Sequence, residues 1–303
     1  MRTFLRAAAL AVAVVATAEF ANAKLMMAPS PPARRAIMAD ISLLGKVTGI
    51  QKEPVMALPP FAGAKDKVAF QIATVKVEAG LIGADKLKEI KIGTILPPKV
   101  DPKAPPAPRI GGGPRRFGFD LKEGQELLLF LVKHPTEDFY TIPGGTLPVD
   151  LKGGDQAKKD VESVKQVAAI LADPAKALKS DKPETRAEAA TVMVLKYRNY
   201  PVLGGEVEQV PLGADESKVL LKNLTEGNWS SMNLRFDAPP TPLQAFQMLG
   251  LTDKDGWVAP VIVNTPGAPP ADYGLVHRDA YMKWLEGPGK NYVIKKMVPK
   301  APK

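Results

Sequence analysis

The sequence has no cysteine and only two histidines, His134 and His277, among its 303 residues. Without a thiol there is no disulfide scaffold, cysteine nucleophile, iron–sulfur cluster or thiolate-bound zinc. Two histidines cannot supply a three-histidine metal site within one chain. Serine is sparse beyond residue 23, at Ser30, Ser42, Ser163, Ser180, Ser217, Ser230 and Ser231, and none lies in G-x-S-x-G. H-E-x-x-H, P-loop and G-x-G-x-x-G patterns are also missing. We therefore assign no catalytic, cofactor-binding or metal-ligating residue from sequence, and no cofactor. Apolar residues at 45% and charged residues at 24% are ordinary globular values and exclude global disorder.

Long hydrophobic runs are confined to the N-terminus. Residues 1–23 read MRTFLRAAALAVAVVATAEFANA, with Arg2 and Arg6 before an apolar run from Ala7 to Thr17. Ala21-Asn22-Ala23 supplies a small-x-small cleavage pattern. Glu19 ends the run short of the ~20 residues needed to span a bilayer. The segment reads as a signal peptide cut before Lys24, which makes the protein exported, periplasmic or extracellular, with no transmembrane segment after cleavage. A membrane anchor is the alternative.

Proline is plentiful, at 30 residues, beside 25 glycines. It concentrates in a lead-in at 24–36 (KLMMAPSPPARRA), expected to be flexible, and in 97–116, where seven of 20 residues are proline. Between and after these come strand patterns: Ile37–Ile50, Val68–Val77, Ile90–Leu96, Glu126–Lys133 and Phe139–Ile142. Gly93 inside the third predicts a bulge or bend. The 97–116 stretch then reads as an insertion in a β unit spanning 37–150. After Asp150 the apolar period lengthens. Val161, Val164, Val167, Ala168 and Leu171 mark a helix over 155–171, and further helices are expected at 181–198, 212–224, 241–249 and 278–285. The expected architecture is α+β: a five-stranded β-barrel unit, a mostly helical domain at 155–294, and a basic tail at 295–303.

Two resemblances follow. Gly45-Lys46-Val47, Val75-Lys76-Val77-Glu78 leading to Leu81-Ile82-Gly83, and Leu121-Lys122-Glu123-Gly124-Gln125 before LLLFL resemble the netrin-like/TIMP-like OB module of secreted proteins. The resemblance implies an OB-type barrel over 37–150. The protease-inhibiting members act through an N-terminal cysteine, which this chain lacks. Asp181, Pro183, Arg186, Ala189, Ala190 and Leu195 resemble one helix pair of a HEAT-like repeat, in which Asp and Arg hold neighbouring helices. Together these features resemble exported bacterial proteins that join a cysteine-free OB-type module to a helical, partly HEAT-like domain.

Several residues invite chemistry. His134 with Glu137 and Asp138 has the composition of a metal or base site, and equally of a polar turn. His277 precedes Arg278-Asp279 at an expected helix start, where a surface or capping role fits. Asp253-Lys254-Asp255-Gly256 opens like a calcium loop, but the position needing an acid is Asn264 and Pro260 intervenes. A turn followed by the anchor Trp257 accounts for it. Trp229, Trp257 and Trp284 could line a glycan or peptide groove, or pin loops to a helical core.

The net charge of +9 is unevenly spread: +3 in 24–35, +4 in 97–116, +4 in 295–303 and +1 in the signal, leaving an acidic remainder. The strands offer only Phe70, Phe130, Phe139 and Tyr140 as aromatics, each accounted for as core, so a nucleic-acid platform is not indicated. The sequence points to an exported non-catalytic interaction or structural protein, with an unidentified protein or cell-surface polymer as partner. The alternatives are an Asp/Glu-dependent hydrolase and a binder of anionic polymers through the basic segments.

Overall fold

The computed structural model describes residues 30–61, 63–97, 119–144, 146–231, 239–262 and 269–300. The signal segment, all of 97–116 beyond Pro97, and residues 301–303 lie outside the described residues.

The strand Glu126–Lys133 shows how the architecture is built. Its five apolar residues from Leu127 to Leu131 are all fully buried. Leu127, Leu129 and Leu131 pack with Ile41, Leu43, Val75 and Ile92 of neighbouring strands. Leu128 and Phe130, on the opposite face, pack among helical residues. A strand buried on both faces needs a continuous apolar run, not alternation. Each fully buried side chain of this size is worth about 1.5–3 kcal/mol.

This strand is β5 of a seven-stranded sheet made with β1 (Ile41–Ile50), β2 (Val55–Ala57), β3 (Val68–Ile82), β4 (Glu89–Ile95), β6 (Tyr140–Thr141) and β7 (Val149–Asp150). Pairing runs β1-β3-β4-β6-β5, and β5 pairs back to β1, so the hydrogen-bonded path closes into a ring. β2 and β7 attach to β3 and β5. The β4–β6 pair is parallel; the others are antiparallel. Bulges interrupt β1 against β3. Gly93, by contrast, keeps an unbroken register with Ile72, which corrects the expected bulge. The glycine is there because the Phe139 ring lies where a β-carbon would be.

Among the described residues seven α-helices complete the α+β fold: α1 (Pro32–Met38), α2 (Gly154–Ala172), α3 (Pro174–Leu178), α4 (Pro183–Arg198), α5 (Ala214–Leu224), α6 (Pro242–Leu249) and α7 (Tyr273–Glu286). The most enclosed is α4, with Ala187 and every residue from Ala189 to Leu195 buried, as suits a helix with neighbours on all sides. It packs against α5, α6, α2 and α1. One hydrophobic core runs from Leu128 and Phe130 through α1, α2 and α4 to Trp229, Tyr281 and Trp284. The change from strands to helices falls between Asp150 and Gly154, yet the described residues belong to one compact unit.

The expected flexibility of the lead-in is corrected where the chain is described. Residues 32–36 of the lead-in are helical, because Ala33, Ala36 and Ile37 bury one face. The Lys196 ammonium donates to the carbonyls of Ile37 and Ala39 at 3.0 and 3.2 Å. Arg35 is 7% exposed, donates to the Leu147 carbonyl and lies over the Phe130 ring at 5.6 Å. In the basic tail, Lys295–Pro299 forms β9, paired antiparallel with β8 (Val207–Pro211), and Met297 is buried. The charges of Arg34, Arg35, Lys295 and Lys296 thus sit on ordered elements.

Candidate functional site

A cleft of about 350 Å³ opens between α5, α7 and the 3-10 turn Pro288–Asn291. The local sequence explains its two characters. In α5, Ser217, Leu220, Leu221 and Leu224 recur at helical spacing and turn inward, while Lys218 and Lys222 stay exposed on the same stretch. In α7, His277, Tyr281 and Trp284 are buried, and Met282, Leu285 and Glu286 flank them along the cleft. Leu221, Met282 and Leu285 give an apolar lining, and Lys218, Lys222 and Lys290 bring positive charge, opposed by the single acid Glu286. None of the three ammoniums is in an ion pair among the described residues. Lys218 and Lys222 are four apart on one helix, a spacing at which like charges repel by a few tenths of a kcal/mol.

The back of the cleft is closely packed. Gly289 presses on the Trp284 indole, and the Tyr292 ring meets the same indole edge-on at 5.3 Å. The indole nitrogen of Trp284 donates to the Asp255 carbonyl at 2.9 Å. Burial, the largest influence, pushes the Tyr292 hydroxyl above its ordinary pKa; nearby Arg198 opposes this and Asp255 adds to it.

The residues singled out in the sequence lie elsewhere. His134 is 2% exposed and its Nδ1 accepts the amide N–H groups of Thr136 and Glu137 at 3.3 and 3.1 Å. That assigns the proton to Nε2, which donates to the Leu58 carbonyl at 2.9 Å. The ring also packs between Phe70 and Phe139. Asp138 turns to Lys133, 2.7 Å away, whose hydrogen bond and charge hold the carboxyl below its usual range. The group works as a locked turn.

His277 lies inside α7, not at its start, which corrects the expected capping role. Its Nδ1 is 2.9 Å from the Tyr273 carbonyl and its ring packs on the Tyr273 ring at a 33° tilt, centroids 3.9 Å apart. The cap is Asp272, which the sequence reading passed over. Its carboxylate accepts the Ser230 hydroxyl at 2.5 Å, the Ser231 amide and hydroxyl at 2.9 and 2.8 Å, and the Gly274 amide at 2.9 Å. The Ser230 hydroxyl, chief among these donors, and then Ser231 and Gly274 hold the carboxyl well below its ordinary pKa. Asp255 accepts both the amide and the hydroxyl of Thr252 at 3.0 and 2.9 Å, closing a short turn before the half-buried Trp257. Trp229 donates to the Leu224 carbonyl at 2.7 Å and, with Phe246, Tyr281 and Trp284, builds an aromatic core. Arg186 of α4 pairs with Glu226 at 2.7 Å and donates to the Ser180 carbonyl.

The signal for the cleft was present in part: Lys218 and Lys222 stand at helical spacing beside a leucine stripe. Nothing local joins them to Lys290, which only the packing of α5 on the 288–291 turn brings near. Among the described residues no helix is long and apolar enough to cross a membrane. Comparison with known protein families finds no family model that matches this chain, and comparison with curated proteins finds no match either.

Proposed function

We propose that this is an exported, non-catalytic binding protein that holds its ligand in the cleft between α5, α7 and the 288–291 turn. The observation that carries the reading is the make-up of that cleft. It joins an apolar lining to three ammoniums that no described acid pairs with, and its lining includes no serine, histidine or aspartate. The candidate acid–base groups are spent on structure instead: His134 on a turn, Asp272 on a helix cap, Asp255 on a short turn. Export to the periplasm or the exterior rests on residues 1–23.

The β part is read as an OB-type barrel. What supports this is the pairing order of the five expected strands. In their own sequence they run first, second, third, fifth, fourth and back to the first, with the third and fifth parallel. In this reading the ring is a scaffold on which the helices, and with them the cleft, are mounted.

The test is a thermal-shift screen of chain 24–303 against small-molecule, peptide and glycan collections, repeated with Leu285→Trp, which fills the cleft. Ligands whose stabilisation disappears in the variant support the reading. Turnover of a compound, lost on a single Asp→Ala or Glu→Ala change, would establish the hydrolase alternative instead. Export is checked by expressing the full chain and sequencing the N-terminus of the released protein, which should begin at Lys24.

A further inference from the structure

We infer that the cleft takes a small organic anion with an apolar body: the anionic group lies against Lys218, Lys222 and Lys290, and the body lies on Leu221, Met282 and Leu285. This rests on the binding reading above and names its ligand class.

Three properties of the cleft select that class. The first is charge. Lys218, Lys222 and Lys290 share one cleft with the single acid Glu286, and no described acid pairs with any of the three. An anion placed among them relieves the repulsion between Lys218 and Lys222, whereas a cation adds to it. The second is the lining. Met282, though apolar, is 39% exposed on a helix whose other face is core. Covering it and Leu285 removes apolar surface from water, which a wholly polar anion such as inorganic phosphate does not do. The third is size. About 350 Å³ lies at the lower end of small-molecule sites, which suits a compact amphiphile and not a polymer chain needing a long basic track.

The Thr225 hydroxyl spends its proton on the Lys222 carbonyl at 2.7 Å, so the attraction for an anion comes from the ammoniums. The Trp284 indole behind Gly289 and Tyr292 is a built-in reporter of occupancy.

The experiment titrates decanoate, 1-decanol and decyltrimethylammonium into chain 24–303 below their micelle concentrations, read by calorimetry and by tryptophan fluorescence. Decanoate is expected to saturate one site, to weaken as salt rises, and to bind at least tenfold more weakly to Lys218→Glu/Lys222→Glu. Both lysines are exposed, so the double variant should fold, and circular dichroism checks that it does. Lys290→Glu should weaken decanoate in the same direction. Decanol or the cationic amphiphile binding as tightly as decanoate overturns the inference, as does undiminished affinity in the double variant. No decanoate binding, while the screen yields ligands lost in Leu285→Trp, overturns the anion class but leaves the binding reading standing. No ligand sensitive to Leu285→Trp overturns both.

Discussion

Gly289 lies flat against the indole of Trp284, so that a β-carbon added at the glycine would stand 2.6 Å from the ring. No real packing tolerates that approach. Trp284 cannot yield easily, because its nitrogen is bonded to the Asp255 carbonyl and its ring is 4% exposed. The 288–291 turn would have to move, and it carries Lys290 into the cleft. Gly289→Ala should therefore destabilise the protein by about 1–3 kcal/mol through overpacking. It should also weaken whatever the cleft binds. Thermal denaturation and the cleft-ligand titration measure the two effects, and an alanine variant of unchanged midpoint would contradict the contact.

Phe130→Ala tests whether the sheet and the helices share one core. The side chain is fully buried, lies beneath Arg35 and belongs to the cluster that includes α4 and Trp229. Its removal should cost about 3–5 kcal/mol. All three tryptophans lie beyond residue 200, on the helical side. In urea, tryptophan fluorescence and far-ultraviolet ellipticity of the variant should shift together. A wild-type fluorescence midpoint beside a lowered ellipticity midpoint would refute a common core.

Asp272 gives a dependence on acid. Its folded pKa lies below the unfolded one, first through the Ser230 hydroxyl and then through Ser231 and Gly274. The unfolded carboxyl titrates near about 3.9. Its contribution to stability is complete above that value and is lost as pH falls towards the lower, folded pKa. Asp272→Asn should thus be less stable than the native chain at pH 5–7, and the gap should narrow steadily as pH falls below about 4. Paired melting curves across pH measure it; a gap that persists undiminished at pH 2 would show that the effect is not the charge.

Ser42→Ala should be neutral or raise stability by about 1 kcal/mol, since an unsatisfied buried hydroxyl carries a desolvation penalty. The Ser42 hydroxyl is fully buried and has no hydrogen-bond partner among the described residues. Urea midpoints of the two proteins decide it, and a clear loss in the alanine variant would mean that the hydroxyl is bonded.

Local pattern carried much of the fold. Glu126–Lys133 was expected and observed with the same limits, and the helix expected over 155–171 spans Gly154–Ala172. Long periodic segments declare themselves because their side chains alternate between fixed environments. Short pieces do not. β2, β6 and β7 are three residues or fewer, and each exists only because a neighbouring strand offers free backbone groups. For the same reason Lys295–Pro299 read as a tail: its pairing with β8 joins residues about 90 positions apart, and five residues of mixed polarity carry no sign of it.

Residue type and short-range spacing were enough for the α+β composition, the order of the main elements and the lack of thiol chemistry. They also set the amphipathic stripe of α5, with Lys218 and Lys222 beside Leu221. That α1 is a buried helix, that β5 closes back on β1 and that His277 is interior came from long-range packing. Only packing, too, placed Lys290 with the α5 lysines around one apolar cleft. The physical reason is common to all of these. A helix face or strand run specifies how much surface must be covered, and only the folded chain specifies by what.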